Sequence, residues 1–419
     1  MNTSRKIYSK CAPYGIEYNP TTDTLMRIGD PISHRVLPVQ SSMVGVILDD
    51  LGNEVMEMPS DDWTSIARDG SLGQVMVRVP DFWIKFQVRP SGNNRIWLSS
   101  NPITGFMHVP QFYVSAYEAS LQRSTLKLAS VVNTTTDYRG GGNQSSWDGT
   151  YRSQLGMPAT SISLTNFRTY ARNRNNGDTR WNCNTYDVQK WLFWLYAIEY
   201  CTFNSQAAFN ANLDANGYRQ GGLGDGVTTW GDTNWNNYNG RYPLIPCGYS
   251  DNLGNGTGIV SYTIKDSGGS DLKTFSVPRY RGIENPFGHI WKWTDGVLVD
   301  VVSGTDGTSS VYACSSPSLF SSTSYSNYRS VGNELRSNSY VKEIHFGQYG
   351  DITAKTGGGS ANTYYHDYHY GNLSSTSLRG LLFGGRTNDG ASAGLVSSSS
   401  SNVPTLTGAS VCSRLCFVA

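Results

Sequence analysis

The sequence is short of charge. Only 16% of its 419 residues are Asp, Glu, Lys or Arg, whereas an average globular protein has about a quarter. The 33 basic residues nearly balance the 32 acidic ones, which gives a formal net charge of +1. Nothing in this balance points to nucleic acid or to an anionic membrane surface, so we expect neither as a partner.

Long apolar runs are also lacking. No stretch reaches the roughly 20 apolar residues that a membrane-spanning helix needs. The first 18 residues carry some positive charge, but they have no continuous apolar segment and no small-residue cleavage site. Because a secretory signal needs both features, we expect no membrane insertion and no export by the general secretory route.

Sequence motifs for metals, cofactors and nucleophiles are missing as well. The sequence has no C-x-x-C pair, no Cys/His spacing of a zinc site, no G-x-S-x-G and no phosphate-binding glycine loop that leads into a helix. We therefore predict no cofactor, no bound metal and no catalytic residue. The cysteines are expected to be free thiols of a protein assembled in a reducing cytoplasm: Cys11, Cys183, Cys201, Cys247, Cys314, Cys412 and Cys416.

Small polar and aromatic residues take the place of charge. The chain has 45 Gly, 26 Tyr and 11 Trp, together with many Ser, Asn and Thr. An aromatic content of 12% supplies enough core material to exclude a disordered chain. Tyr, Ser, Gly and Asn are also the residues from which adaptable binding surfaces are built.

The pattern of residues predicts an α+β protein in two parts. Residues 1–104 alternate in short β-type stretches, among them 75–88 with a break at Pro80, and form a small β-rich N-terminal module. Residues 105–419 form a larger domain with two helices, at 163–174 and 185–204, capped by Ser163 and Thr185. Many short strands and long loops follow, and the run Ser397–Ser401 is predicted to be a loop.

Residues 282–296, GIENPFGHIWKWTDG, form the most informative string. Asn285-Pro286 and the glycines around it predict a turn. The alternation of Ile290 and Lys292 with Trp291 and Trp293 then predicts a strand with one aromatic face. The two tryptophans, with Trp191, Trp194 and the strand Leu415–Phe417, are expected to belong to a hydrophobic frame.

This string resembles the core signature of the C-type-lectin-like fold in formylglycine-generating enzymes and their relatives. The chain is still more similar to phage tail-fibre variable proteins that retroelements diversify. Five strings carry that resemblance in order, over about residues 45–419: VMVRVPDFW (75–83), FYVSAYEAS (112–120), RTYARNR (168–174), IEYCTFNSQ (198–206) and SRLCF (413–417).

The resemblance implies a C-type-lectin-like ligand-binding domain that serves as the receptor-binding head of a phage or prophage tail. It implies a host cell-surface receptor, protein or glycan, as the partner. The N-terminal module would contact other virion tail proteins. A homotrimer in the virion tail, assembled in the host cytoplasm, is expected on the same ground.

The resemblance also suggests a variable region at 386–411. The retroelements of that family mutate adenines, chiefly in AAY codons, and this segment contains no Lys, Glu, Gln, Met or Trp, which NNY codons cannot encode. An invariant solvated loop of Ser and Gly would pass the same test. The predicted ligand-binding residues are Arg386, Asn388, Asp389, Ser392, Leu395, Val396, Ser397, Ser399, Ser401, Asn402, Leu406, Gly408 and Ser410.

Other readings stay open at this stage. Cys412 and Cys416 would have to hold copper in an oxidase of the formylglycine-generating type, although Cys416 is expected to be buried in a strand. A fixed-specificity, Ca²⁺-dependent surface lectin is a further alternative, and Asp251 begins a stretch that superficially resembles a Ca²⁺ loop. His366 and His369 would lie on opposite faces of a strand. The tyrosines at 364, 365, 368 and 370 either contact ligand or pack in the core.

Overall fold

The computed structural model describes residues 12–225 and 229–418. Cys11 and most of the first 18 residues, for which no secretory signal was predicted, therefore lie outside the described part. The predicted α+β class with many short strands is confirmed. Among the described helices, none is both long and apolar enough to cross a membrane. The α-helices are α1 (Pro31–Val36), α2 (Leu164–Arg172), α3 (Tyr186–Tyr200) and α4 (Asp232–Asn239).

The strands are short throughout the chain. Those before α2 are β1 (Tyr14–Asn19), β2 (Thr24–Gly29), β3 (Val44–Leu48), β4 (Glu54–Glu57), β5 (Gln74–Val79), β6 (Phe82–Val88), β7 (Asn94–Ser99), β8 (Met107–Val109), β9 (Phe112–Ser115), β10 (Ser120–Gln122) and β11 (Lys127–Ala129). Those after α2 are β12 (Trp181–Cys183), β13 (Gly258–Lys265), β14 (Asp271–Tyr280), β15 (Ile283–Glu284), β16 (Trp291–Val301), β17 (Ser309–Ala313), β18 (Arg329–Asn333), β19 (Ser339–Ile344), β20 (Ala354–Gly357), β21 (Tyr368–Tyr370), β22 (Ser377–Gly384), β23 (Gly394–Ser399), β24 (Val411–Cys412) and β25 (Leu415–Val418).

An antiparallel five-stranded sheet contains much of the N-terminal region, in the order β2-β1-β7-β6-β8. The break that Pro80 predicts separates β5 from β6. These two strands join different sheets, because β5 pairs with β3 and β9 instead. A proline supplies no backbone N–H for a ladder, so it suits a point where the chain changes sheets.

A six-stranded sheet brings distant parts of the chain together, in the order β12-β25-β9-β5-β3-β4. β25 lies between β12 and β9 and pairs antiparallel with both. Strands from both sides of residue 104 therefore share this sheet. The predicted boundary between an N-terminal module and a C-terminal domain at that residue stays a prediction.

The largest sheet supports the C-terminal half and runs β18-β17-β16-β22-β23-β21-β19-β20, with β24 parallel to the start of β16. The central strand β16 begins at the predicted aromatic strand, and Trp293 is fully buried. β23 is parallel to β21 and antiparallel to β22. The prediction of a loop at Ser397–Ser401 is therefore wrong for residues 397–399, which belong to β23.

The long predicted helix is confirmed as α3, and the side chain of Thr185 accepts a hydrogen bond from the Val188 amide at its first turn. Almost every residue of α3 is buried, as its broad apolar stripe predicts. It packs against the first sheet through contacts such as Phe82 with Trp191, and Gln189 donates to the Leu395 carbonyl of β23 at 2.7 Å. α3 thus connects the first sheet to the largest one.

α2 is also confirmed, with Ser163 as its cap, and a buried ion pair fastens it to β16. The Arg168 guanidinium donates two hydrogen bonds to the Asp295 carboxylate, at 2.6 and 2.7 Å. Both side chains are almost fully buried. Bidentate geometry of this kind fixes orientation as well as distance, so the RTYARNR helix is held against the WTDG segment within β16.

Candidate ligand-binding site

A cavity of about 320 Å³ lies where β16, β21, β22 and the loops on either side of β23 meet. We call it the Trp291 cavity. Eight of the thirteen predicted ligand-binding residues line it, and the others on its wall come from neighbouring strands. Its lining is Trp291, Tyr370, Leu382, Arg386, Asp389, Ser399, Ser401, Asn402, Leu406, Gly408, Ser410 and Val411.

The loop over residues 400–410 is held in place by its backbone. The carbonyl of Pro404 accepts a hydrogen bond from the Leu164 amide at 3.0 Å, and the carbonyl of Gly408 accepts one from the Ser161 amide at 3.0 Å. The carbonyl of Ser410 accepts one from Trp291 at 2.9 Å. These bonds do not depend on the side chains of the loop, so the loop can keep its course while side chains on its surface change.

Aromatic side chains form one wall of the cavity. Trp291 and Tyr370 meet edge to face, with ring centroids 5.9 Å apart. Tyr368 continues the row beside Tyr370 and contacts Tyr340 in turn. The two alternatives for the tyrosines, ligand contact and core packing, thus apply to different residues. Tyr370 lines the cavity, whereas Tyr365 is buried and stacks on Phe203 with ring centroids 4.6 Å apart.

Asp389 organises the polar side of the cavity. Its carboxylate accepts a hydrogen bond from the Tyr370 hydroxyl at 3.2 Å and another from the Arg386 amide at 2.8 Å. Burial raises the pKa of the Asp389 carboxyl group, and the bond from the Arg386 amide opposes that rise. Burial likewise raises the pKa of the Tyr370 phenol. Asp389 thus fixes the tyrosine that forms the aromatic wall.

Arg386 stands between the Trp291 cavity and a second concavity of about 460 Å³. Its guanidinium reaches the Asp232 carboxylate at 3.5 Å and the Ser410 hydroxyl at 3.4 Å. Both distances are at the long end for hydrogen bonds. The second concavity, which we call the Arg241 hollow, is lined by Asp232, Thr233, Asn236, Arg241, Arg386, Ala409 and Ser410.

Three predicted ligand-binding residues lie in the core instead. Leu395 and Val396 are each 1% exposed and Ser397 is fully buried. The amides of Val396 and Ser397 donate to the Asp367 carboxylate at 2.7 and 3.1 Å. Because β23 is covered on both faces at residues 395–397 and reaches the cavity only at Ser399, we remove all three from the site.

Two other predicted residues stand apart from the cavity lining. Asn388 is partly buried in the turn between Arg386 and Asp389. Ser392 donates a hydrogen bond to the Tyr340 hydroxyl at 3.2 Å, which places it at the outer end of the tyrosine row. Whether any of the thirteen residues contacts a ligand stays a prediction.

The site also contains residues that sequence reasoning did not select. Trp291 was assigned to the hydrophobic frame and does belong to a buried hydrophobic cluster, but it also lines the cavity. Asp232 and Arg241 come from α4 and the residue after its C-terminal glycine, in a region where almost no helix was predicted. The one sequence signal for these residues was the alternation of Trp291 with Lys292. This alternation predicts a strand with an aromatic face, but it does not show whether that face lines a cavity or packs in the core.

The residues considered for copper or Ca²⁺ are fully buried. Cys412 and Cys416 are fully buried, and burial raises the pKa of both thiols, that of Cys416 to about 12. Asp251 is buried against Arg279 at 3.2 Å and the Tyr117 hydroxyl at 2.6 Å. Over residues 12–225 and 229–418, no group of three His, Cys, Asp or Glu side chains could hold a metal ion.

Comparison with known proteins gives weak structural neighbours. No protein-family model matches the sequence, and no curated protein matches it. Among solved structures, the Major Tropism Determinant U1 Variant is 11% identical with a TM-score of 0.24, over 90% of this chain and 81% of that chain. The Major Tropism Determinant M1 Variant is 10% identical with a TM-score of 0.24, over 96% of this chain and 93% of that chain.

Proposed function

We propose that this chain is the receptor-binding protein of a phage or prophage tail, and that it binds a host bacterial surface molecule through the Trp291 cavity. One observation carries the proposal. Nine residues of the segment 386–411 line a single cavity, while the loop that presents several of them is anchored through backbone carbonyls.

This division suits a surface that is exchanged by mutation. Surface substitutions away from special features usually change stability by about 0.5 kcal/mol or less. Side chains such as Leu406 and Ser410 can therefore vary while Pro404, Gly408 and Ser410 keep their backbone bonds. A retroelement-diversified, C-type-lectin-like face is the form of the proposal that the sequence strings favour.

The remaining parts of the proposal concern assembly. The N-terminal β-rich region would contact other tail proteins in the virion, and a homotrimer would present several cavities together. Several weak sites on one particle can bind a cell surface far more tightly than one site alone. Both points come from the resemblance of the sequence strings to phage tail-fibre variable proteins.

Deep sequencing of the gene from one clonal lysate or culture tests diversification. We expect substitutions at the codons of cavity residues such as Ser401, Asn402 and Leu406, and unchanged codons for Leu395, Val396 and Ser397. An invariant segment would remove diversification and leave a binder of fixed specificity. Substitutions spread equally over buried and cavity codons would contradict the assignment of the binding face.

Adsorption of the purified full-length chain to bacterial cells tests receptor binding directly. Labelled protein is added to the host strain, and binding is compared for wild type, Leu406→Arg and the control Arg89→Gln. Leu406→Arg places a long cation into the cavity and should abolish adsorption, whereas Arg89, remote in sequence and outside the lining, should not matter. Equal adsorption of all three would refute the proposed face.

A further inference from the structure

The Arg241 hollow carries an excess of positive charge beside the proposed receptor site. The guanidinium groups of Arg241 and Arg386 line it together with one carboxylate, that of Asp232. In the adjoining Trp291 cavity the Asp389 carboxylate is already occupied by the Tyr370 hydroxyl and the Arg386 amide. An anion entering the hollow would therefore meet two cations and one opposing charge.

Both guanidinium groups have donors to spare. Arg386 makes only long contacts, at 3.4 and 3.5 Å. Arg241 uses Nε for the Asn236 side chain at 3.2 Å, and no described residue accepts a bond from its two terminal nitrogens. A guanidinium has five N–H donors in a planar fork that matches a carboxylate or phosphate group.

The backbone of Arg241 holds a strained position. Its φ is +90°, a value that residues other than glycine rarely adopt. The residue directly follows the glycine that ends α4, and its amide donates to the Trp235 carbonyl at 3.0 Å. Strain of this kind persists where the surrounding structure enforces it, and it is concentrated at ligand sites.

The hollow and the Trp291 cavity adjoin, because Arg386 and Ser410 line both. An anion held by the two arginines would thus lie next to an aromatic wall and a rim of short hydroxyl and amide side chains. Such a rim can exchange hydrogen bonds with ring hydroxyls, and an aromatic wall can cover the apolar face of a ring. Each volume also lies in the usual range of small-ligand pockets.

We infer that the two concavities together take an acidic sugar residue of a bacterial surface polysaccharide, with its anionic group between Arg241 and Arg386 and its ring against Trp291 and Tyr370. This inference rests on the proposed function and adds the chemical class of the receptor. Arg241 lies outside 386–411, so it would supply a fixed anion contact while diversified residues select the rest of the glycan.

Saturation-transfer NMR and calorimetry on the full-length chain test this inference with defined probes. D-galacturonate and N-acetylneuraminate carry a carboxylate, D-galactose 6-phosphate carries a phosphate, and D-galactose is the neutral match. Acetate and inorganic phosphate supply the anion without a ring. At least one acidic sugar should bind about tenfold or more tightly than galactose and the free ions, and the carboxylate and phosphate arms show which group is recognised.

Variants separate this geometry from general charge. Arg241→Gln and Arg386→Gln should each weaken the acidic sugar by about tenfold or more, and Arg89→Gln, a matched loss of charge elsewhere, should leave binding unchanged. Arg241 is exposed, so its variant should keep the wild-type melting curve even if the Arg386 variant does not.

The contrary outcomes are distinct. Binding of galactose as tight as that of the acidic sugars, binding of the free ions alone, or no binding of any acidic sugar would each overturn the inference. An Arg241→Gln variant with unchanged affinity would do the same. If the wild-type protein still adsorbs to host cells in those cases, the proposed function stands and only the inferred ligand class fails. If the wild-type protein does not adsorb to host cells, both the proposed function and the inferred ligand class are refuted.

Discussion

Two leucines of the segment 386–411 provide a matched test of where the binding face lies. Leu395 is 1% exposed in β23, whereas Leu406 is partly exposed at the cavity. A Leu→Ala substitution in a core costs about 2–5 kcal/mol, since it loses burial and leaves a cavity. We therefore expect that cost for Leu395→Ala and about 1 kcal/mol or less for Leu406→Ala.

The difference is measurable by thermal unfolding. An unfolding entropy of about 2.1 cal/mol/K per residue over 419 residues is roughly 0.9 kcal/mol/K, so Leu395→Ala should lower Tm by about 2–6 °C. Leu406→Ala should lower it by about 1 °C or less, yet reduce adsorption to cells. Equal Tm losses in the two variants, or a larger loss for Leu406→Ala, would refute the assignment of one leucine to the core and the other to the site.

Three further predictions concern buried polar groups. Asp295→Ala leaves the Arg168 guanidinium buried without its partner and should lower the free energy of unfolding in urea by about 3–5 kcal/mol. The double variant Arg168→Met/Asp295→Leu should recover most of that loss. A loss below about 1 kcal/mol for Asp295→Ala would contradict the buried pair. Burial raises the pKa of Glu334 from 4.5 to about 8, so the folded chain keeps a proton that the unfolded chain loses, and stability from this group falls between pH 4.5 and 8. Glu334→Gln should make the urea midpoint less dependent on pH in that window, and an unchanged pH dependence would count against the prediction. Because burial raises the pKa of Cys412 and Cys416, both thiols should resist iodoacetamide at pH 8 in the native protein and react after unfolding, as read by peptide mass mapping; rapid labelling of the native chain would reopen the copper-site alternative.

The sequence predicted the elements whose local signals agree with their surroundings. α3 has a capping Thr185, an unbroken apolar period and no proline, so its propensity and its burial favour the same structure. α4 was missed because Asp, Asn and Thr dominate its eight residues, and these residues are poor helix formers. It exists because Trp235 packs into a small core with Phe275, a contact between distant parts of the chain that no local pattern contains.

The resemblance located the candidate site, and the burial of Leu395, Val396 and Ser397 in the structure then removed these residues from it. The segment 386–411 includes both β23 and the loops around it, and a serine-rich run does not reveal which of its residues enter a sheet. Ser398 and Ser400 are accommodated in the interior because His369 and Glu334 satisfy their hydroxyls. His369 lies on β21 and Glu334 directly follows β18, so these partners are distant in sequence and only the folded chain distinguishes Leu395 from Leu406.

The position of β25 between β12 and β9 has a consequence for chains that are truncated within 386–411. A frameshift or stop codon anywhere in 386–411 removes β24 and β25, which withdraws the strand that joins β12 to the rest of the six-stranded sheet. The edges of β12 and β9 would then be exposed, and unpaired edges favour aggregation and degradation. If 386–411 is diversified as proposed above, an indispensable strand follows the diversified segment, so folding itself would screen the products of mutation and only in-frame variants would reach assembly.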